Sequence, residues 1–452
     1  MKLAAPDGSN RHVTRWWRSV LRLCLTLATA NASAADLPWP AWRGPSATGF
    51  SPDANPPVEW SETKNIAWKV PAAGSGHSSP VIAEGRIFLC AEVPVGAAVP
   101  PVYDNAPGSH DNVGVDHTHE FFVTALDLGT GKTLWRTSVA KTFPHEGGHQ
   151  TGSLASNSPV TDGEHVWAFF GSRGLYCLFC KDGQVVWKKD LGKLNTHHAH
   201  GEGASPALHE GTLIVPMDQE TGSRVYALEA ATGKEIWSAE RNEITTWATP
   251  IVTRATPTSP LQVIVPGTTR IRGYDLATGR VLWECRGMSR NVIASPVAAD
   301  GIVCVGCSYD LKAMLAIKLE GAEGDITAKT NVLWSTNQRT PYVPSPLLYD
   351  GKVYFLGHYQ GLLSARFAAT GERFAGPIRL EGINDIFSSP VGAAGRIYIT
   401  DRTGDTAVLA HEASLTQLAS NHLDDSFSAS MALAGKSIIL RGEKSVYCIR
   451  AK

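Results

Sequence analysis

An all-β fold, an eight-bladed propeller of four-stranded antiparallel blades whose N-terminal strand closes the last blade, is what this sequence predicts. Three observations carry the prediction. A phrase of Ser or Thr, Pro and an apolar pair recurs along the chain, with eight copies counting one degenerate form; a Trp ends a turn-linked strand at a fixed place in six repeats; and an orphan Trp strand near the N-terminus matches a last repeat that lacks one. Composition agrees, since 43 Gly, 27 Pro and 13 Trp in 452 residues suit many short strands joined by tight turns. With 41 Lys and Arg against 42 Asp and Glu, there is no overall basic field to hold nucleic acid or an anionic membrane.

Residues 1–35 place Arg11, Arg15, Arg18 and Arg22 before the apolar run Leu23 to Ala30 and the stretch NASAAD, the layout of a signal peptide cleaved after Ala34 or Ala35. An apolar run of about eight residues reaches only about 12 Å as a helix, against a membrane core of roughly 30 Å. The mature chain is therefore expected to lack a transmembrane segment and to be periplasmic or secreted. Cys24 in LRLC makes a poor lipoprotein box. Residues 36–64 are expected as an extension packed on the propeller, which itself occupies 65–452.

The first copies of the phrase are HSSPVIAEGRIFLC, NSPVTDGEHVWAFF, ASPALHEGTLIVPM and ATPIV with LQVIVPG. The later ones are ASPVAADGIVCVG, PSPLLYDGKVYFLG, SSPVGAAGRIYIT and SASMALAGKSIILRG. Seven prolines, from Pro80 to Pro390, stand 44 to 50 residues apart except for a first gap of 79; an insertion at about 91–120 accounts for that gap. If the SASMAL unit is no true blade, the count falls to seven. Between the phrases stand ALDLGTGKTLW, ALEAATGKEIW and YDLATGRVLW, with the shorter KDGQVVW and TNVLW. Each reads as strand, turn, strand, with Thr-Gly supplying the residue that tolerates positive φ. A large flat ring at one slot in every repeat is best used to fill the gap between neighbouring sheets. ATGERF, assigned to the seventh blade, has Ala375 where Trp is expected. Trp68 in NIAWKV is expected to complete blade eight and so remove an exposed sheet edge.

Seven cysteines follow the leader, including the CxxC pairs Cys177/Cys180 and Cys304/Cys307. Both pairs lie in apolar runs, and residues i and i+3 of a strand face opposite sides. Neither pair closes readily on one metal, and small buried hydrophobes are the expectation.

The AxDxxTGxxxW signature with its SSPV strands resembles the pyrroloquinoline-quinone-type propeller repeat of the quinoprotein dehydrogenases and of BamB-like outer-membrane assembly lipoproteins. The segments WPAWRGPSATGF, NIAWKV and PYVPSPLLYDGKVYFL resemble those of exported planctomycete-type repeat proteins. The resemblance spans about residues 38–450 and implies a fold more than an activity. In the dehydrogenases it implies adjacent cysteines beside the quinone and a calcium held by Glu, Asn and Asp. No two cysteines are adjacent here, which argues against that quinone as cofactor. Asp310, Asp385 and Asp401 are the carboxylates considered for such a role, and loop aspartates are common.

Topology ranks the polar candidates. Loops entering a blade's first strand and loops joining its second and third strands emerge on one face. Eleven of the 15 His lie between 77 and 209. His77, His145, His149, His198 and His200 sit in entry loops of blades one to three, and the insertion carries His110, His117 and His119. Imidazoles with carboxylates suit a transition metal, so His117, His119, His145, His149, His198 and His200 are candidate metal ligands; a polar lid bonded to backbone is the simpler reading. The ligand-binding candidates on this funnel face are His77, Trp247, Arg173, Asp218, Arg270, Asp310 and Arg402. SYD near 310 and HYQG near 358 read as polar turns. No GxSxG, HExxH, P-loop or dinucleotide fingerprint is present. The expected function is a non-catalytic, exported ligand-binding or protein-interaction scaffold of the cell envelope, with a protein, peptide or glycan partner and no assured cofactor. The alternatives are a quinone- or metal-dependent oxidoreductase and a BamB-like assembly factor.

Overall fold

The structure, a computed structural model, describes residues 38–103 and 106–451; the export signal expected over 1–35 lies outside them. Eight antiparallel sheets follow one another around an axis. The first blade is built from Val81–Ala83, Arg86–Val95, Thr118–Asp127 and Thr133–Thr142. The last is built from Ala432–Ala434, Ser437–Arg441 and Ser445–Arg450, with Ile66–Pro71 as its outer strand. The degenerate SASMAL unit is thus a true blade, and the orphan Trp strand completes it. ATGERF joins Leu362–Phe367 to Arg373–Arg379 and belongs to blade six. The Trp slot is also empty in blade seven, where Ala419 pairs with Val408 beside the same bulge.

Core side chains lie between the faces of neighbouring blades, one apolar cluster to a gap in six of the gaps, while a single larger cluster runs through the two gaps on either side of blade eight. The cysteine pairs follow this division. Cys177 packs in the cluster between blades two and three, and Cys180 in that between one and two. Cys304 and Cys307 are divided in the same way. Burial pushes the thiols of Cys177, Cys180 and Cys304 up to about 12, so they stay protonated and inert.

Two devices join the blades. The slot Trp of one blade reaches the turn of the next: Trp68 Nε1 donates to Leu128 O (3.1 Å), Trp135 to Cys180 O (2.9 Å) and Trp237 to Leu276 O (2.7 Å). Its ring covers the Gly of that turn. A Cβ on Gly131, at φ +74°, would come within 2.6 Å of the Trp68 ring, so the Thr-Gly turn serves close approach as well as backbone conformation. Trp283 is the exception and donates to Gln262 Oε1 in its own blade (2.8 Å). In the blade it faces, a longer excursion stands where the Thr-Gly turn would be, and the excursion adds Gly324–Asp325 as a fifth strand to blade four.

The second device is a hydroxyl belt. Ser79 N donates to Ser158 Oγ, Ser158 N to Ser205 Oγ and Ser205 N to Thr249 Oγ1, at 2.9 to 3.1 Å. The chain of bonds continues through Ser295, Ser345, Ser389 and Ser430 and closes where Ser430 N meets Ser79 Oγ at 2.9 Å. The hydroxyl residue before each Pro thus pairs an N–H that the inner strand leaves open.

Residues 39–61 run under the ring, opposite the histidine-bearing loops. Trp39 pairs with Ile82, Ala41 with Val160 and Phe50 with Gly392. Between them Arg43 is buried and donates to Pro390 O (2.8 Å) and Pro346 O (2.6 Å). No helix among the described residues is long and apolar enough to cross a membrane.

Candidate functional site

On the opposite face the entry loops and the loops between second and third strands surround a cavity of about 680 Å³. Its throat is the hydroxyl belt, of which Ser79, Ser158, Ser205 and Ser430 line the wall, and Trp42 stands at its floor. Trp42 Nε1 lies 3.4 Å from Ser430 Oγ. The N-terminal segment thus reaches the lower end of the cavity at Trp42.

One wall is imidazole. The first-blade ladder runs in register from Arg86↔Asp127 to Val95↔Thr118, so the excursion proper spans 96–117. It leans across to blade two, where Asn112–Val113 pairs with Gly148–His149. This brings His110 to 4.9 Å from His200 and 5.1 Å from His198, ring centre to ring centre, and His149 lies 4.8 Å from His200. The bonds at this corner go to backbone: Asn112 Nδ2 donates to His198 O (2.7 Å), His198 Nδ1 to Pro107 O (2.9 Å) and His200 Nε2 to His110 O (3.3 Å). The remaining metal candidates lie elsewhere. His117 bonds Asp116 (2.8 Å), His119 bonds buried Glu92, and His145 Nε2 donates to Leu194 O (2.8 Å). Among the described residues no three His, Cys, Asp or Glu side chains are grouped to hold a metal ion.

The facing wall is aromatic. Tyr309 and Tyr342 stack at 5.9 Å, Tyr342 and His358 at 4.6 Å with planes 4° apart, and Tyr359 continues the row toward Phe387 at 6.2 Å. The guanidinium of Arg402 covers the Phe387 ring at 4.7 Å. These side chains come from blades five to seven. SYD and HYQG are thus more than polar turns: the tyrosine in each faces the cavity. The available signal was a Tyr repeated just outside the strand pattern.

Of the ligand-binding candidates, His77, Trp247 and Arg402 line the cavity. Trp247 Nε1 donates to Gly201 O at 2.6 Å, leaving it edge-bound in the wall. Asp310 stands at the rim, bonded to Arg290 at 2.6 Å and next in sequence to Tyr309. Arg173 is paired behind the wall with Glu202 at 3.0 Å. Asp218 and Arg270 lie outside the cavity lining. Asp218 forms a fully buried two-bond pair with Arg241 (2.7 and 3.0 Å), and Arg270 pairs with Glu284 (2.9 Å) and Asp325 (3.3 Å). Asp385 holds Arg402 at 3.0 Å. Asp401 is buried and accepts the N–H groups of Asn384, Thr403 and Asp405, a loop-shaping role.

The cavity is close to neutral. Burial, reinforced by Arg441 and Arg402, pulls His77 down to about 4; burial does the same for His200, and it lowers His149 and His358. Arg402 is matched by Asp385 and Glu202 by Arg173. Pyrroloquinoline quinone, a flat tricarboxylate, fits this donor set poorly: the guanidinium of Arg402 already carries an ion pair with Asp385, and burial disfavours positive charge on His77, His149, His200 and His358.

Fold and site together define an eight-bladed repeat propeller with a cavity among its loops. The family model described as outer membrane protein assembly factor BamB, of the PQQ-like repeat type, matches residues 119–323 and 262–452, and the chain belongs to that family. The outer membrane protein assembly factor BamB of Yersinia pestis is 25% identical over 329 residues, covering 62% of this chain and 78% of that one. Among solved structures, a europium-containing methanol dehydrogenase matches with TM-score 0.58 at 10% identity over 88% of each chain. The quinohemoprotein alcohol dehydrogenase from Comamonas testosteroni matches with TM-score 0.57 at 10% identity, over 94% of this chain and 82% of that one. At such identity these two establish the shared fold alone.

Proposed function

We propose that this protein is an exported, non-catalytic propeller of the cell envelope that holds a ligand or partner in its funnel. The observation that carries the reading is the cavity of about 680 Å³ among the loops, with Trp42 at its foot, in which Arg402 and Glu202 each already have an ionic partner. Such a site is preformed for binding. The guanidinium of Arg402, which lines the cavity, already carries an ion pair with Asp385, which disfavours an acidic quinone there. Family membership supports the envelope setting and a protein partner there. The assembly-factor reading uses the same face. The histidine corner acts in this scheme as a lid that ties the 96–117 excursion to the loops entering blades two and three.

Native mass spectrometry of protein purified from its own envelope tests the proposal. A bound species is expected, and Arg402→Ala with Tyr309→Ala is expected to lose it. A second arm adds pyrroloquinoline quinone and calcium with alcohols or aldoses and follows reduction of an artificial acceptor. Substrate-dependent turnover that requires the quinone replaces the scaffold by the oxidoreductase.

A further inference from the structure

We infer that the funnel takes an uncharged carbohydrate, a short neutral oligosaccharide whose rings lie along the Tyr309–Tyr359 wall. The inference rests on the binding role proposed above and adds the ligand's chemical class.

Charge excludes the other common occupants. A nucleotide, a phosphorylated sugar or a uronic acid brings anionic groups, and every charged group in the wall with an assigned partner is neutralised by it: Arg402 by Asp385, Glu202 by Arg173. The imidazoles of His77, His149, His200 and His358 are held uncharged by burial at neutral pH. A cation finds no free carboxylate. A lipid chain would strip water from the hydroxyls of the belt without replacing it.

Hydrogen-bonding capacity points the other way. Each belt hydroxyl already accepts a backbone N–H from the preceding blade, so its own hydrogen remains to be donated. Three further wall residues carry a buried polar atom with no partner: Asn291 Oδ1, Ser428 Oγ and Arg402 Nε. One accepts, one donates and one does both. Buried polar atoms are otherwise satisfied in folded proteins, and a ligand that presents hydroxyls, each a donor and an acceptor, meets all three kinds at once.

Shape supplies the third term. Sugar rings present C–H faces that pack on aromatic faces, and the wall offers a row of them: Tyr309 and Tyr359, both lining the cavity, remain 38% and 37% exposed. A volume of about 680 Å³ falls within the roughly 300–1,000 Å³ of small-molecule sites, room for a few sugar rings.

The test titrates the full mature protein with neutral malto-, cello- and chito-trisaccharides by calorimetry and Trp fluorescence, with a trisaccharide of uronic acids as the charged control. At least one neutral trisaccharide is expected to bind, the uronic one at least tenfold more weakly. Tyr359→Ala and Asn291→Ala are each expected to weaken binding at least tenfold, while Tyr359→Phe, which keeps the ring face, retains it. Unchanged thermal melts identify the variants that are folded, and Tyr309→Ala replaces any that is not. Preference for the charged glycan, or neutral binding indifferent to these variants, overturns the inference. Absence of binding to all three neutral series, with a non-carbohydrate species found in the funnel by native mass spectrometry, overturns the carbohydrate and leaves the binding role standing. Absence of both overturns the two together.

Discussion

Replacing Trp68 by Ala tests how the ring is closed. Trp68 lies on Ile66–Pro71, the outer strand of blade eight, is 9% exposed, donates to Leu128 O in blade one and covers Gly131 there. Its loss removes the contact between last and first blades at that slot. Truncating a buried Trp costs about 3–5 kcal/mol, and the lost indole bond, after which Leu128 O keeps only the longer bond from Arg450 Nη2 at 3.4 Å, accounts for about 1 kcal/mol of that. At about 2.1 cal/mol/K per residue, a ring of about 400 residues has an unfolding entropy near 0.8 kcal/mol/K. A loss of about 4 kcal/mol therefore lowers the melting midpoint by about 5 °C, read by calorimetry, and shifts the urea midpoint in the same direction. Deleting residues 36–70 goes further: it bares the edge of Ser445–Arg450, and self-association through that edge is expected. An unchanged, cooperative melt for Trp68→Ala would refute the claim that this contact closes the ring.

Three other perturbations follow from the same structure. Asp218→Asn leaves Arg241 buried beside a neutral partner and is expected to cost about 3–5 kcal/mol in urea unfolding, with ligand affinity unchanged in the protein that remains folded; a surface-like cost below about 1 kcal/mol would contradict the buried pair. His77 has its folded pKa near 4 against about 6.5 when unfolded, so its neutral form supports the fold fully above about pH 6.5 and that support is lost as pH falls toward 4. Glu146, raised to about 7 by burial, slopes the opposite way, so the readout is the difference between the parent and His77→Gln. The variant is expected to lose on the order of 1–3 kcal/mol less on moving from pH 7 to pH 4, and parallel curves would exclude the effect. Ser79→Ala removes the acceptor of Ser430 N and is expected to cost about 1–3 kcal/mol and speed exchange of that amide; slow exchange would mean that the belt is not what protects it.

Much of the fold was legible because it is local and repeated. The Ser/Thr-Pro phrase marks where each inner strand begins, and the Thr-Gly turn with its Trp marks the outer hairpin, so strand order, blade number and the destination of Trp68 could be read from spacing. The division of Cys177 from Cys180 followed from strand period alone. Placing ATGERF in blade seven was a miscount along the repeat. The belt was half visible, since its serines belong to the phrase, but their hydroxyls meet only when eight blades stand in a circle.

The site was less legible, for a physical reason. A propeller cavity is assembled from one loop of each blade, and residues as far apart as His77 and Arg402 become neighbours only through closure of the ring. Which loop side chains face the axis depends on the 96–117 excursion leaning toward blade two, which puts His110, His149 and His200 in the cavity wall and leaves His117, His119, His145 and His198 outside its lining. Asp218 and Arg270 look like free loop charges in the sequence, yet each meets an opposite charge from another strand and is spent on structure. Tyr342, Tyr359 and Phe387 carry no motif, and only their approach to one another across blades six and seven makes a wall of them. The sequence by itself determined a closed ring of eight blades; the tertiary structure decided which of its many polar loops face inward, because that choice rests on long-range packing that no local pattern encodes.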